Sequence, residues 1–204
     1  MNTTKGLMLV VSGPAGSGKG TVNAMLLERE DYAFSVSATT RAPRPGEIDG
    51  VNYHYITRED FLARIDSGDM LEHTEYCGNF YGTPLKEAEE VLRSGKNLIL
   101  EIDVNGGMQV KKAYPEVVLI MLLPPDAATQ EARLRKRNTE TDEVIKKRLD
   151  QARAEISMVG EYDYIIYNYD GRTMDAMEDI LAIIRAEKLS SKRHPDTEKS
   201  YFGQ

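Results

Sequence analysis

Leu7-Met8-Leu9-Val10-Val11-Ser12-Gly13-Pro14-Ala15-Gly16-Ser17-Gly18-Lys19-Gly20-Thr21 is the stretch that decides the fold. Its first five residues form a short, continuous apolar run, the pattern of a parallel strand buried on both faces. A glycine-rich turn follows. From Lys19 to about residue 30, Val22, Met25 and Leu26 recur at helical spacing. Strand, turn and helix open a βαβ unit. Within it, residues 13–19 satisfy G-x-x-x-x-G-K, a pattern that gains weight when a strand precedes it and a helix follows. The glycines let the loop wrap tightly, so that successive backbone N–H groups face one anion. The helix start adds its positive end. Lys19 is long enough to neutralise the outer phosphates of a nucleoside triphosphate. Gly13, Pro14, Ala15, Gly16, Ser17, Gly18, Lys19, Gly20 and Thr21 are therefore expected to bind ATP. The full pattern carries Ser or Thr directly after the lysine, and Gly20 stands there instead. Thr21, one place on, is the candidate hydroxyl for a magnesium ion.

Working outward, the texture changes between residues 32 and 84, where Tyr, Thr, Arg and Gly are frequent and Pro43 and Pro45 break any helix. Residues 51–57 read as a strand, 58–67 as a short helix and 70–76 as another strand, together a small inserted subdomain. The α/β pattern then resumes. Helices are expected at 85–94, 104–113, 127–136, from about 148 to 158, and at 173–188. Strands are expected at 97–103, 117–123 and 164–167. The last residues, from about 190, read as a polar, mobile tail.

The 204 residues suit one α/β domain with an insertion, and the net charge of -7 argues against a general nucleic-acid binder. A single cysteine, Cys77, excludes an internal disulfide and fits a reducing cytoplasm. The apolar run at 7–11 is too short for a signal segment or a membrane span. His54, His73 and His194 show no metal-ligand spacing and read as structural or exposed.

The second informative run is Ser35-Val36-Ser37-Ala38-Thr39-Thr40-Arg41-Ala42-Pro43-Arg44-Pro45-Gly46-Glu47. Arg41 and Arg44, three apart in a loop stiffened by prolines, suit a dianionic phosphate through planar, multidentate donors. Tyr53 and Tyr81 can add neutral hydroxyl donors. Glu101 and Asp103, two apart on an expected strand, should share one face near its carboxyl end, where ligands of parallel sheets bind.

Taken with Asp49-Gly50-Val51-Asn52-Tyr53, Glu72-His73-Thr74-Glu75-Tyr76, Gly78-Asn79-Phe80-Tyr81-Gly82-Thr83-Pro84 and Leu98-Ile99-Leu100-Glu101-Ile102-Asp103, this run resembles the signature of the guanylate kinase family. The likeness extends from residue 7 to about 188. The loop at 13–21 alone resembles adenylate kinases equally well. The resemblance implies an α/β fold: a P-loop NTPase core with a mostly parallel sheet, an inserted small GMP-binding subdomain and a helical lid. The implied domain covers 5–190, with core 5–34 and 84–190, insert 35–83 and lid 134–148, leaving 191–204 as tail. It implies ATP-dependent phosphorylation of GMP, with Mg2+ accompanying ATP. The GMP phosphate is assigned to Arg41, Arg44, Tyr53 and Tyr81, and the guanine to Ser37, Glu72, Thr83 and Asp103, with Glu101 nearby. Lid arginines Arg133, Arg137 and Arg148 are assigned to ATP, Arg148 reaching GMP as well, and Asn168 to the adenine region. Tyr169 departs from the acid usual after that asparagine. The expected catalytic set is Lys19, Arg41, Arg137 and Arg148.

The chemistry of guanine agrees with this assignment. It offers two adjacent donors, N1–H and the 2-amino group, which a carboxylate accepts, whereas adenine has a lone pair at N1. Two rival readings stay open at this stage: a kinase for a phosphorylated sugar on the same scaffold, and a non-enzymatic binding module. The carboxylates Glu72 and Asp103 speak against the first and Lys19 against the second. The expected partners are ATP and GMP, with dGMP and a homo-oligomer left open, and neither nucleic acid nor membrane.

Overall fold

The structure, a computed structural model, describes residues 6–76, 78–136 and 141–203. Two sheets organise them. The larger is built from β1 (Met8–Ser12), β2 (Tyr32–Phe34), β7 (Asn97–Leu100), β8 (Val118–Leu123) and β9 (Tyr164–Tyr167) in the order β2-β7-β1-β8-β9. Every pairing in it is parallel. The smaller sheet has the order β4-β3-β6-β5, from β3 (Ala38–Thr39), β4 (His54–Tyr55), β5 (Met70–Tyr76) and β6 (Asn79–Pro84). All of it falls between residues 38 and 84, inside the stretch whose composition departs from the rest.

β1 lies at the centre of the large sheet and is buried at every residue, so its apolar run needs no alternation. Its side chains nonetheless divide by parity. Leu9 and Val11, with Leu7 just before the strand, pack with residues of α1 (Lys19–Leu27) and α7 (Thr173–Leu189). Met8 and Val10 pack on the other face with Ala88 and Leu92 of α3 (Leu85–Arg93) and with Val104 and Val110 of α4 (Val104–Ala113). Each fully buried Leu or Val contributes roughly 1.5–3 kcal/mol by leaving water, and this two-sided core fixes the strand ends that carry the site. From β1 the chain first passes outward to β2, then returns through β7 and crosses to β8. The crevice at such a reversal lies beyond the carboxyl ends of the strands, here the ends of β1 and β7.

Several expectations change. The strand expected at 51–57 shrinks to His54 and Tyr55, because 48–52 fold into a turn closed by Val51 N–H and Asn52 N–H to Ile48 O. The strand expected at 97–103 ends at Leu100, because Asp103 caps α4, its side chain accepting from Gly106 N–H at 2.8 Å. Glu101 and Asp103 therefore do not share a strand face. Helix formation near 148 begins earlier, with α6 (Asp142–Ser157), capped by the Thr141 hydroxyl. The tail carries local structure: residues 191–193 form a 3-10 turn and α8 (Thr197–Tyr201) follows. Arg193 ties it down through Glu187 and the Glu116 carbonyl. Helix α5 (Ala127–Lys136) keeps its expected bounds and the ion pair Glu131–Arg135. Arg137 and Cys77 lie outside the described residues.

Candidate active site

The phosphate-type loop leaves β1 at its carboxyl end and feeds α1, whose N-cap, Gly18, has φ +91. Glycine there is a matter of space as well as φ, since a Cβ would lie 2.3 Å from the Asn168 Nδ2. Lys19 folds back over the loop, its Nζ donating to the carbonyls of Gly13 and Pro14.

A cleft of about 670 Å3 opens over this loop. Residues 13–21 form one wall. Ser37, Tyr53, Glu72, Tyr81, Glu101, Asp103 and Arg148, all singled out from the sequence, line the remainder. A smaller pocket of about 290 Å3 lies on the other side of the loop, lined by Gly16, Gly18, Thr21, Arg133 and Asn168 among others. Thr21 borders both.

Glu72 is the most unusual group in the cleft. It sits on β5, 4% exposed, and its Oε1 accepts the Thr83 hydroxyl at 2.8 Å across the β5–β6 pair. Burial pushes its carboxyl up to about 7, against the opposing pull of the Thr83 hydrogen bond, and nearby Asp103 adds to the rise. The space for its other oxygen exists because residue 106 is glycine: a Cβ there would meet Glu72 Oε2 at 2.7 Å. Glu101 is held differently. Its Oε2 accepts from the buried Asn23 Nδ2 at 2.9 Å, which ties the end of β7 to α1.

Arg41 and Arg44 do not line the cleft in this structure. The Arg41 guanidinium is gripped by both oxygens of Glu47, at 3.0 Å each. Glu47 also accepts the Tyr55 hydroxyl at 2.8 Å and the Arg44 N–H at 2.7 Å. These hydrogen bonds, Arg41's first, hold the Glu47 carboxyl down at about 2. The same Glu47 contact raises the pKa of Arg41. Arg41 lies over the Tyr53 ring, 5.5 Å from its centroid, and Tyr53 packs edge-on to Tyr81. The arginine thus stands directly behind two tyrosines that do face the cleft. The Arg44 side chain is exposed.

Arg133 is also engaged away from the large cleft. It bonds the Gly16 carbonyl at 3.1 Å, the Asn168 carbonyl at 2.7 Å and the Asp170 carboxylate at 2.7 Å. Asn168, 3% exposed, donates to the Ser17 carbonyl at 2.9 Å.

The sequence reading did not single out Gln151 and Glu155, which line the cleft from α6 together with Arg148. Their spacing, i, i+3 and i+7, puts all three on one helical face and was the available signal. Burial pushes the Glu155 carboxyl up, partly offset by Lys19. Glu47, Tyr55, Asn23 and Gln130 were likewise missed, because each acts on a neighbour that only the fold reveals. Among the described residues no three His, Cys, Asp or Glu side chains gather as a metal site, and no helix is long and apolar enough to cross a membrane.

The parallel sheet, the glycine loop at the end of its central strand and the helix beyond define a P-loop NTPase core. The family model "Guanylate kinase" matches residues 5–187. The chain is 47% identical over 194 residues to a guanylate kinase of Halalkalibacterium halodurans, covering 95% of this chain and 94% of that one. It is 43% identical over 196 residues to a guanylate kinase of Desulfitobacterium hafniense, covering 96% and 97%. The crystal structure of guanylate kinase from Anaplasma phagocytophilum matches with a TM-score of 0.75 at 36% identity, covering 93% of this chain and 90% of that one. The chain belongs to the guanylate kinase family.

Proposed function

We propose that the cleft brings two nucleotides together and carries out the family's reaction, transfer of the terminal phosphate of ATP to GMP, giving ADP and GDP. The observation that carries this reading is one cleft holding both the loop 13–21 and the buried carboxylate Glu72. In this reading the loop and Lys19 hold the ATP phosphates, and the pocket at Gly18, Thr21, Arg133 and Asn168 takes the adenosine side. Glu72, in its ionised form, accepts from guanine N1–H and the 2-amino group. Thr83, whose hydroxyl is already given to Glu72, orients that carboxylate rather than meeting the base itself. Ser37, Glu101 and Asp103 complete the base pocket. Tyr53 and Tyr81, backed by Arg41 and with Arg44 in the same loop, receive the GMP phosphate.

An oxygen of the GMP phosphate attacks the γ-phosphorus as the bond to the bridging oxygen of ADP breaks, and no enzyme nucleophile is needed. The side chains supply positioning and charge neutralisation. Magnesium fits the donor set as a companion of ATP rather than a resident ion, since this metal commonly takes one or two protein oxygens plus phosphates. Thr21 is the residue that would hold it, and the ion would draw charge off the phosphates being separated. Arg148, facing the cleft from α6, and Arg137, outside the described residues, are the arginines assigned to the transferring phosphate.

The test is coupled ADP release with ATP and a panel of acceptors. GMP should support turnover at least about 10³-fold better than AMP, the scale that paired hydrogen bonds to a base can reach. Equal rates with AMP would remove the base-reading role of Glu72. Turnover with a sugar phosphate alone would replace the reading.

A further inference from the structure

Three successive carbonyls of the phosphate loop are each tied to a side chain outside it. Ala15 O accepts from Gln130 Nε2 at 2.9 Å, Gly16 O from Arg133 Nη1 at 3.1 Å, and Ser17 O from Asn168 Nδ2 at 2.9 Å. Gln130 and Arg133 are one turn apart on α5, and Asn168 follows β9. Arg133 and Asn168 were already marked by the sequence. Gln130 was not, yet it is 2% exposed and sends a polar head into the loop from a buried helix face. Gly16 packs directly on it: a Cβ at 16 would lie 3.5 Å from Gln130 Cγ.

We infer that Gln130 is a positioning residue for ATP, acting through the backbone of the loop. A peptide group is planar, and its carbonyl and N–H point in opposite directions. Holding the Ala15 carbonyl toward α5 turns the Gly16 N–H of the same peptide the other way. Holding the Ser17 carbonyl does the same for the Gly18 N–H. The middle peptide is fixed twice, since its Ser17 N–H closes a turn to Pro14 O at 3.2 Å while its Gly16 carbonyl meets Arg133. A loop with glycine at 13, 16 and 18, all at positive φ, has little local resistance to peptide rotation. A rotated peptide would present a carbonyl dipole to the phosphates in place of a donor. The three outside donors remove that alternative before ATP arrives, which is the economy of a preorganised anion site.

The inference rests on the reading of residues 13–21 as the ATP phosphate site, so Lys19→Ala is measured alongside. The variants are Gln130→Met, which keeps the volume and removes the donor, and Gln130→Glu, in the full chain. Gln130→Met should raise KM for ATP about 3- to 10-fold, the range of one hydrogen bond, with KM for GMP within twofold and a thermal midpoint lower by only about a few degrees, the cost of the same bond in the free protein. In Gln130→Glu the ionised carboxylate faces a carbonyl, but its protonated form regains a donor. Its ATP defect relative to wild type at the same pH should therefore shrink as pH falls from 8.5 to 6. A folded Gln130→Met with native KM for ATP overturns the inference. So does a Gln130→Glu defect constant across that range, or one that raises both KM values together, as simple loss of packing would. If Gln130→Met fails to fold, the pH profile of Gln130→Glu decides. If Lys19→Ala leaves ATP use untouched, the loop reading itself is what has failed.

Discussion

At one end of the cleft the wall is a loop with glycine at 13, 16, 18 and 20, so that backbone makes most of it; at the other end it is the side chains of Tyr53, Glu72, Thr74, Tyr76 and Tyr81. The two ends are held in place differently as well. The loop is fixed from outside, its carbonyls bonded to Gln130, Arg133 and Asn168. The wall proposed for the acceptor is held largely by its own side chains, with Thr83 on Glu72 and the Glu47 carboxylate joining Arg41, Tyr55 and the Arg44 N–H, while Gln109 of α4 grips the His73 backbone beside Glu72. A backbone site offers every triphosphate the same amides and has little means of choosing a base. A side-chain site chooses, at the cost of burying a carboxylate. Removing groups from the two ends should therefore fail in different ways.

The largest effect belongs to the loop end. Lys19→Ala should leave the fold intact, since Lys19 sits outside both core clusters, and lower kcat by about 10²–10³, the scale of losing one electrostatic donor in the transition state. Circular dichroism establishes the fold and single-turnover measurements the rate. A folded variant with near-native kcat would leave the comparison without its loop half.

Next comes the pH response of the acceptor end. Burial raises the Glu72 carboxyl to about 7, and the proposed contact with guanine needs it ionised. Below that value GMP must first displace a proton, so GMP affinity should weaken as pH falls, approaching tenfold per unit. Above about 8 it should be flat. Near pH 7 binding should release part of a proton, seen by calorimetry in buffers of different ionisation heat. The nucleotide's own phosphate titrates near 6, so Glu72→Gln is the reference: its weaker GMP affinity should lose the Glu72 component of the slope. Identical slopes in the two proteins would mean that Glu72 is not the group that titrates.

The same contrast explains what could be read in advance. The loop, β1, β8, α4 and α5 were legible because their signals are local: continuous apolar runs, a glycine pattern and helical spacing. The second sheet was only partly so. β6 contains Gly82 and ends in Pro84, residues that argue against a strand. Yet Gly82 is needed there, because a Cβ would lie 2.6 Å from Glu72 O and 3.0 Å from the Phe61 ring. β3, two residues long, gains its identity from pairing with β4 and β6 and from nothing of its own. Of the residues proposed for the acceptor, Arg41, Arg44, Tyr53 and Tyr81 came from a proline-stiffened arginine loop and its neighbouring hydroxyls, whereas Ser37, Glu72 and Thr83 came from a family resemblance. Their supports, Glu47, Tyr55 and Asn23, stayed hidden because a supporting residue is defined by what it touches.

Glu47 gives the smallest and most discriminating prediction. Its carboxylate grips Arg41 with both oxygens and also accepts from the Tyr55 hydroxyl and the Arg44 N–H. Glu47→Gln keeps the shape but replaces one acceptor by an NH2 that faces the Arg41 donors. Arg41 then loses the anchor that sets it behind Tyr53 and Tyr81. KM for GMP should rise about 3- to 10-fold, as for a weakened charge-assisted hydrogen bond. KM for ATP should stay within twofold, since among the described residues the Glu47 bonds go to Arg41, Arg44 and Tyr55 and not to the loop. Tyr55→Phe removes a single bond from the same carboxylate and should shift KM for GMP in the same direction by less. Glu47→Asp, which keeps the charge on a shorter stem, should recover part of the loss. A different outcome is also informative. If Glu47 restrains Arg41 so firmly that the arginine must be released to meet the GMP phosphate, Glu47→Gln would lower KM for GMP instead. A fall would therefore turn the acceptor wall from a preset site into one that the substrate has to open, and a change in KM for ATP of equal size would erase the distinction between the two ends.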